Sequence, residues 1–215
     1  VYASSAATYG RGARGFTDDH AVLNDLEPLN MYGYSKHMMD LWLLNQGALD
    51  DVVGLKYFNV YGPNEWHKGR MGSMVMHMKG QIEDEGKVQL FASNDPDFAD
   101  GEQCRDFIYV KDVARMSCQL MQSDIGGIFN IGGGVAVSWN QLATAVFNAL
   151  DRPVNIEYVP MPEDLAHRYQ SYTCAEMDKY HTTISEKGIE PVAMHSIEDG
   201  VKDYINNHLL TETYW

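Results

Sequence analysis

The alternation of apolar and polar positions in the first third of the chain predicts a strand, a helix and a second strand. Residues 1–5 are typical of the end of a buried strand. The apolar run at residues 38–44 indicates a helix that continues to about Gly47. Residues 52–61 are rich in β-branched and aromatic side chains, and Gly62-Pro63 ends that run. This order favours a βαβ unit within a parallel sheet.

Beyond this unit, we expect loops where small residues, polar residues, glycine and proline are dense. Residues 6–10 and 11–30 are interpreted as loops, and residues 92–103 as an exposed acidic loop. Ser138 and Gln141 fit a capping box at the start of a helix. The other predicted elements are strands at 128–131 and 156–159, a helix at 111–122, and a final helix capped by Ser196.

Composition narrows the classes of function. The chain has 45% hydrophobic and 21% charged residues, and it contains no apolar run near the roughly 20 residues that cross a bilayer. Three widely spaced cysteines argue against a disulfide framework and against a cysteine-rich metal site. A net charge of −14 disfavours nucleic acid and anionic membranes as partners. We therefore expect a cytoplasmic protein with no membrane or nucleic-acid partner and no bound metal.

Tyr32 and Lys36 are the strongest candidate pair for acid/base chemistry. If residues 31–47 form a helix, side chains four residues apart lie on one face of it. An ammonium group held near a phenol favours the phenolate, which can accept a proton from a substrate. The same spacing also arises by chance in many helices, so the pair is not decisive alone.

Four segments together carry a resemblance to a known family. They are Ser4-Ser5, Tyr32-x-x-x-Lys36, Tyr57-Phe58-Asn59-Val60-Tyr61-Gly62-Pro63, and Arg105-Asp106-Phe107-Ile108-Tyr109-Val110-Lys111-Asp112-Val113. In this order they resemble the extended short-chain dehydrogenases/reductases, the NAD-dependent epimerase/dehydratase family, which act on nucleotide sugars. The residues Asn64-Glu65-Trp66-His67-Lys68-Gly69 and Arg168-Tyr169-Gln170 are similar to the branch that epimerises an ADP-linked heptose at an exocyclic carbon.

The resemblance implies a fold and a domain division. The expected fold is α/β: an incomplete Rossmann-type, doubly wound parallel sheet with a smaller α/β substrate-binding domain. Residues 1–62 and 107–134 would belong to the NAD(P)-binding domain. Residues 63–106 and 135–215 would form the substrate-binding domain, ending in the C-terminal helix.

The resemblance also implies roles for the chemically active residues. Tyr32 and Lys68 would be two acid/base groups on opposite faces of the reacting carbon, and Ser5 would bond the reacting hydroxyl or ketone. Lys36, Val60 and Lys68 would contact the cofactor, which is expected to be NADP, with NAD as the alternative. Without the resemblance, Lys68 is better interpreted as a solvated loop lysine.

The expected ADP-sugar contacts come from several segments, and Arg105 is the leading candidate for the diphosphate because a guanidinium matches phosphate oxygens. His77 alone would more often pack within a helix than bind a ligand. Arg70 stands where the family more usually has a small polar residue. The full expected set of substrate contacts is Asn59, Arg70, His77, Phe91, Ala92, Ser93, Asn94, Arg105 and Tyr169.

One feature of the family does not occur in these 215 residues. No Gly-rich phosphate loop opens the chain, and Gly132-Gly133-Gly134 is better interpreted as a turn after a strand. We therefore expect the chain to match the C-terminal two-thirds of such an enzyme, to bind NADP weakly alone, and to form a homo-oligomer when complete. Two alternatives stay open: a related nucleotide-sugar 4-epimerase, dehydratase or reductase, and a non-catalytic fragment that binds a sugar nucleotide.

Overall fold

The computed structural model describes residues 1–166 and 169–211, and its architecture is α/β. Most predicted helices and strands are present. The strands are β1 Tyr2–Ser5, β2 Val53–Tyr57, β3 Asn59–Tyr61, β4 Val88–Phe91, β5 Cys104–Tyr109, β6 Gly127–Ile131, β7 Ala136–Ser138 and β8 Ile156–Val159. The α-helices are α1 Met31–Asn45, α2 Met74–Glu85, α3 Val110–Gln122, α4 Trp139–Ala149, α5 Glu163–Ala166, α6 Asp178–Glu186 and α7 Ile197–Tyr204.

The chain forms two compact units. The first unit comprises residues 1–58, 111–135 and 173–193, and the second comprises residues 59–110, 136–172 and 194–215. Residues 173–193 pack in the first unit, although the sequence assigned them to a substrate-binding domain. The assignment of one domain to the cofactor and one to the substrate stays a prediction, because compactness alone does not define a binding role.

The first unit is built on a three-stranded parallel sheet with the strand order β1-β2-β6. The segment β1–α1–β2 is the predicted βαβ unit, and the spacing of Tyr32 and Lys36 does fall on a helix. Every residue of β6 is buried, as is most of β2, and both strands are mainly apolar, with Lys56 and Asn130 as buried polar exceptions.

Two loop predictions in this unit were wrong. Ala6–Tyr9 forms a 3₁₀-helix, because the Ser5 side chain caps it by accepting a hydrogen bond from the backbone N–H of Ala7. His20–Asp25 forms another 3₁₀-helix within the predicted surface loop. That loop also contributes Phe16, Leu23 and Leu26 to the buried core. Their spacing is irregular, so neither a helical nor a strand period in the sequence predicts that they are buried.

The prediction of a single strand at 52–61 was also wrong. It divides at Phe58, whose backbone N–H donates to the carbonyl of Ile131 at 3.0 Å. Strand β2 pairs with β6 in the first unit, whereas β3 pairs with β5 in the second. A continuous β-rich sequence does not show where a chain leaves one sheet and joins another.

The second unit contains a three-stranded sheet, β3-β5-β7, and a two-stranded parallel sheet, β4-β8. Side chains of α2, α4 and α7 form its apolar core together with Tyr61 and Tyr109. The predicted capping box is present, with Ser138 as the cap and Gln141 bonding back to it. Ser196 caps α7 as predicted, and the helix continues as one π-helical turn, Ile205–Leu209.

Within residues 1–166 and 169–211, no helix is both long enough and apolar enough to cross a membrane.

A buried ion pair holds the first unit together. Lys56 on β2 and Asp40 on α1 both have fully buried side chains, and their Nζ and Oδ2 atoms lie 2.7 Å apart. Lys56 also donates to the Thr8 hydroxyl at 2.6 Å, while Asp40 accepts hydrogen bonds at 2.9 Å from the hydroxyls of Tyr2 and Ser4. The pair therefore joins β1, the 3₁₀-helix after it, α1 and β2.

Lys56 and Asp40 both have hydrogen-bond partners inside the protein. These partners offset the free-energy cost of burying the two charges. Burial lowers the pKa of Lys56, and the Asp40 carboxylate opposes that shift. The ammonium group also lies 4.9 Å from the ring centroid of Tyr9, a cation–π distance. Removing one partner would leave the other charge buried and uncompensated, which is far more costly than losing a surface ion pair.

Side chains cover the outer edge of β6. The backbone N–H of Ile128 donates to His20 Nε2 at 3.0 Å, and the N–H of Asn130 donates to Asp18 Oδ2 at 2.8 Å. Lys179 donates to the Ile128 carbonyl at 2.8 Å and contacts His20 Nε2 at 3.2 Å. Burial lowers the pKa of His20, and the Lys179 charge adds to that effect. The His20 ring is therefore neutral when its Nε2 accepts the hydrogen bond from the Ile128 N–H.

We expect Lys56→Met to lower the free energy of unfolding by about 3–5 kcal/mol, because it leaves Asp40 buried without its counter-charge. Urea unfolding followed by circular dichroism measures this loss. Lys79→Met is the matched control, since Lys79 pairs with Glu83 at 2.6 Å on the surface of α2, and an exposed pair contributes about 0.3–0.5 kcal/mol. A loss at Lys56 as small as the loss at Lys79 would contradict the role given to the buried pair.

The lowered pKa of His20 predicts a pH dependence. Its neutral form stabilises the folded state fully above its unfolded pKa of about 6.5, and this stability is lost as the pH falls through the lower folded pKa. We expect the stability advantage of the unchanged protein over His20→Gln to shrink between about pH 7.5 and pH 5. Urea unfolding at each pH measures it, and the exposed His67→Gln is the control replacement. A constant difference would contradict the assignment.

Candidate active site

The start of α1 places Tyr32 and Lys36 together in the first unit. Asn30 caps the helix by accepting a hydrogen bond from the Gly33 N–H at 2.8 Å. Lys36 Nζ lies 5.9 Å from the centre of the Tyr32 ring and donates to the Ala3 carbonyl on β1 at 3.1 Å. Tyr32 is 56% exposed, so its phenol is open to a substrate. The two side chains therefore lie on one face of α1, as their spacing predicts, and their acid/base role stays a prediction.

Gly33 allows α1 to lie directly against the segment that follows Ser5. A Cβ atom at this position would be 2.7 Å from the Ala7 carbonyl oxygen and 2.9 Å from the Pro28 Cβ, closer than packed atoms allow. Any other residue would push the helix away from this segment. The glycine between Tyr32 and Lys36 thus sets how closely the phenol approaches the end of β1.

Ser5 is buried at the carboxyl end of β1. Its Oγ accepts a hydrogen bond from the Ala7 N–H at 3.2 Å, and its carbonyl accepts one from the Thr8 hydroxyl at 2.9 Å. A serine hydroxyl that accepts one bond keeps its proton for donation, which is what the predicted role requires. Through Thr8, the position of Ser5 also depends on Lys56 and its ion pair.

The donor set at this end of the sheet fits the ribose and nicotinamide part of a dinucleotide. Lys36 has three N–H donors, and the Ala3 carbonyl is its one hydrogen-bond acceptor among the residues that the structure describes. In open parallel sheets, ligands bind outside the carboxyl ends of the strands, where Ser5 lies. Within the first unit, Lys36 is the residue predicted to meet the cofactor, and its free N–H donors suit a ribose; the contact itself stays a prediction.

The second unit carries Lys68 on an exposed segment. Trp66–Met71 forms a short 3₁₀-helical segment with a kink at Gly69, and both Lys68 and Arg70 are exposed in it. Asn59 and Val60 lie on β3, with Asn59 exposed and Val60 half-buried. These placements leave Asn59, Lys68 and Arg70 free to meet a ligand, and the roles predicted for them stay predictions.

An aromatic cavity in the second unit brings two predicted substrate residues together. Phe91 and Tyr169 both line a cavity of about 350 Å³, whose other lining residues are Met74, Gln81, Gln89, Leu90, Trp139 and Val159. Trp139 Nε1 donates to the Tyr169 hydroxyl at 2.8 Å. An apolar cavity with aromatic walls suits a flat ring such as a nucleobase.

Arg105 lies beside this cavity rather than in open solvent. Its guanidinium carbon is 4.9 Å from the centre of the Tyr169 ring and 5.8 Å from that of Trp139, and Nη1 donates to the Cys104 carbonyl at 2.8 Å. Burial lowers the pKa of Arg105, although an arginine stays protonated at neutral pH. Its contact with a diphosphate stays a prediction, because the contacts seen are with aromatic rings and a carbonyl.

The remaining predicted substrate residues are distributed around the second unit. His77 lies on α2, and its buried Nε2 has no hydrogen-bond partner among the described residues. The Ala92 N–H donates to the Val159 carbonyl at 2.8 Å. Ser93 bonds within the acidic loop, and Asn94 donates to the Ala166 carbonyl at 3.1 Å. That loop has no helix or strand, as predicted.

Three supporting groups were not identified from the sequence. They are the Lys56–Asp40 pair, the Trp139 ring beside Tyr169, and the buried carboxylate of Glu65, which bonds to Ser73 and Tyr204. A lysine within the apolar run of β2 was a usable signal, because a buried ammonium needs an acidic partner. The identity of that partner was not visible, since Asp40 lies 16 residues earlier in the chain, on α1.

One predicted recognition residue, Arg168, lies outside the described residues. Among the described residues, no group of three His, Cys, Asp or Glu side chains is arranged to hold a metal ion.

Comparison with known proteins agrees with this geometry. Residues 1–132 match the model of the NAD dependent epimerase/dehydratase family. An ADP-L-glycero-D-manno-heptose-6-epimerase of Nitratidesulfovibrio vulgaris strain DP4 is 51% identical over 210 residues, which is 97% of this chain and 64% of the relative. A Fusobacterium nucleatum protein of the same name is 46% identical over 99% of this chain and 65% of its own length. The chain thus spans slightly less than two-thirds of these curated relatives.

Solved structures give the same fold. The Helicobacter pylori ADP-L-glycero-D-manno-heptose-6-epimerase matches with a TM-score of 0.76 and 30% identity, over 96% of this chain and 58% of that one. The Thermotoga maritima UDP-glucose 4-epimerase matches with a TM-score of 0.73 over 98% of this chain and 63% of that one, and its 24% identity supports the fold alone. The predicted Rossmann-type fold class is confirmed, and the chain belongs to the NAD dependent epimerase/dehydratase family.

Proposed function

We propose that this chain carries the substrate site and the acid/base residues of an enzyme that interconverts ADP-D-glycero-D-manno-heptose and ADP-L-glycero-D-manno-heptose. The observation that supports this most strongly is the 51% identity, over 97% of the chain, to a curated relative named for that epimerisation. The exposed Lys68 segment in the second unit supports it further, since the related ring-carbon epimerases are expected to lack it.

The residues of the first unit transfer one proton and contact the cofactor. NADP, when bound, supplies reversible hydride acceptance, so that the sugar carbon passes through a planar ketone. Tyr32 takes the hydroxyl proton of one epimer and returns it in the reverse direction. Lys36 stabilises the phenolate and bonds the ribose, while Ser5 donates a hydrogen bond to the reacting oxygen.

The residues of the second unit transfer the other proton and bind the ADP group. Lys68 serves the second epimer as Tyr32 serves the first, because an exocyclic carbon presents its hydroxyl differently in the two epimers. The cavity between Phe91 and Tyr169 takes the adenine ring. Arg105 and the unsatisfied His77 Nε2 provide donors toward the diphosphate and the sugar.

Several finer points are part of the same proposal. The cofactor is NADP, with NAD as the alternative, and the substrate is an ADP-sugar. The enzyme works in the cytoplasm and forms a homo-oligomer, and neither nucleic acid nor a membrane is a partner. The assays below use the extended protein, meaning this chain lengthened to the full length of its curated relatives.

The substrate class is tested directly. We expect the extended protein to convert ADP-D-glycero-D-manno-heptose to its L-glycero epimer and to leave UDP-galactose and UDP-glucose unchanged, because the Lys68 segment serves an exocyclic carbon. Nuclear magnetic resonance of the sugar products measures both reactions. Efficient epimerisation of UDP-galactose would instead favour a related 4-epimerase, and binding of an ADP-sugar without turnover would favour a non-catalytic module.

The two-base assignment predicts a specific pattern in variants. Tyr32→Phe and Lys68→Met should each lower net epimerisation by about 10² to 10⁴, the usual loss when a general acid/base is removed. Each variant should still oxidise the one epimer that its surviving base serves, seen as transient absorbance of reduced nicotinamide. The double variant should lose little more net epimerisation than either single one, because both groups act on one reaction path.

Lys36→Met is the matched comparison, since it should weaken cofactor binding as well as turnover. Lys202→Met is the control for the loss of an exposed positive charge in the second unit, because Lys202 is exposed on α7 and has no assigned role. A Lys68→Met variant that epimerises at nearly the normal rate would show that Tyr32 acts without Lys68.

A further inference from the structure

Glu65 is a buried carboxylate at the start of the segment that carries Lys68. Its side chain is 3% exposed. The carboxylate accepts hydrogen bonds from the backbone N–H of Ser73 at 2.7 Å, from the Ser73 hydroxyl, and from the Tyr204 hydroxyl at 2.8 Å. We call these three residues, Glu65, Ser73 and Tyr204, the Glu65 clamp.

All donors in the Glu65 clamp are neutral groups. An ionised carboxylate buried among neutral donors costs stability that an apolar side chain of the same size would not cost. Burial, with the Glu65 charge adding to it, raises the pKa of Tyr204, so that the phenol keeps its proton and remains a donor. A buried carboxylate that accepts three hydrogen bonds indicates a requirement beyond packing.

The clamp joins the two ends of the Lys68 segment. Glu65 immediately precedes Trp66–Met71, and Ser73 is the cap residue of α2. Between them, the Lys68 N–H donates to the Glu65 carbonyl at 2.9 Å, and the Gly72 N–H donates to the Gly69 carbonyl at 3.0 Å. Glu65 therefore contacts both ends of the segment. Its backbone carbonyl accepts the hydrogen bond from Lys68, and its carboxylate accepts the bonds from Ser73.

The backbone next to Lys68 has a conformation that favours glycine. Gly69 has φ 51° and ψ −121°, a conformation that side-chain-bearing residues rarely adopt. No heavy atom lies within 4 Å of where its Cβ would be, so the backbone angles, not crowding, require the glycine there. This turn brings the chain back toward Ser73 and directs Lys68 outward.

Contacts of the Lys68 amine with the described residues do not fix its position. The side chain is exposed, and no hydrogen bond or ion pair to its ammonium is present among residues 1–166 and 169–211. Its position therefore depends on the backbone of the segment, and the position of that backbone depends on the clamp.

We propose that Glu65 is a positioning residue for Lys68, and that the Glu65 clamp holds the Lys68 amine where it can exchange a proton with the substrate. This inference rests on the proposed function, in which Lys68 is an acid/base group. It adds that a buried carboxylate with no substrate contact sets the rate of the half-reaction that Lys68 serves.

Steady-state kinetics of the extended protein test the inference. Glu65→Gln replaces an acceptor oxygen by an amide that cannot accept from both the N–H and the hydroxyl of Ser73. We expect kcat for net epimerisation to fall by about 10²-fold, the effect of a displacement near 1 Å, while KM for the ADP-sugar stays nearly unchanged. Tyr204→Phe and Ser73→Ala each remove one donor and should give smaller losses of the same kind.

Two readouts separate positioning from general destabilisation. In a Lys68→Met background, Glu65→Gln should cause little further loss, because the residue that it positions is already absent. Glu65→Gln should also resemble Lys68→Met in sparing oxidation of the epimer that Tyr32 serves. A residue needed only for folding would reduce both half-reactions and would add its loss in either background.

Leu142→Ala is the matched control for stability. Leu142 is fully buried in the core of the same unit and lies outside the clamp, so its truncation destabilises the unit without touching Glu65. Trypsin cleaves after Lys68 and Arg70, and we expect cleavage there to accelerate in Glu65→Gln and to stay slow in Leu142→Ala at a temperature where both are folded. Leu142→Ala should keep a normal kcat.

The outcomes distinguish the two proposals. A normal rate for Lys68→Met would contradict the proposed two-base mechanism itself. A slow Lys68→Met with a normal Glu65→Gln, or with an equal additional loss from Glu65→Gln in the Lys68→Met background, would contradict only the positioning role. If Glu65→Gln does not fold, Tyr204→Phe and Ser73→Ala decide: normal kcat in both would overturn the inference, and graded losses confined to the Lys68 half-reaction would support it.

Discussion

The ion pair between Lys56 and Asp40 is the interaction on which the first unit depends. Two full charges lie 2.7 Å apart with no exposed surface, so each is tolerable only because the other is there. The hydroxyls of Tyr2, Ser4 and Thr8 complete their hydrogen bonding. This network fixes α1 on β1 through side chains, and so it fixes where the phenol of Tyr32 lies relative to Ser5 in the same unit.

The second unit has a comparable arrangement around a different carboxylate. Glu65, like Asp40, is a buried acid that accepts several hydrogen bonds, and it begins the segment that carries the exposed Lys68, which we assign to proton transfer. Tyr32 and Lys68 are open to solvent, whereas Asp40 and Glu65, which hold the segments around them, are buried. Such a division suits chemistry that needs a mobile substrate and an immobile set of donors and acceptors.

The parts of the fold that sequence reasoning found are those with a local signal. The helix of Tyr32 and Lys36 has an apolar run and a cap, and the capping box at Ser138 is a pattern of four residues. Strand β4, helix α6 and the buried part of residues 11–30 have only two or three apolar positions each, without a long period. Their burial is decided by contacts that are distant in sequence, which no local pattern reports.

The candidate site divides in the same way. Tyr32, Lys36, Lys68 and Arg105 could be named from motifs, because family resemblance is carried by short segments. Asp40 and Glu65 could not be assigned, since a carboxylate in a sequence shows neither its burial nor its partners. The hydrogen bond of Glu65 to Tyr204 joins residues 139 positions apart, and only a folded chain brings them together.

The covered edge of β6 has a consequence for how this sheet can be extended. His20, Asp18 and Lys179 occupy the outward backbone groups of Ile128 and Asn130, so an additional strand cannot hydrogen-bond there without displacing them. In the described strand pairings, β1 has a neighbour on one side only. Growth of the sheet is therefore one-directional: any strand that joins it must do so beside β1, the strand whose end carries Ser5.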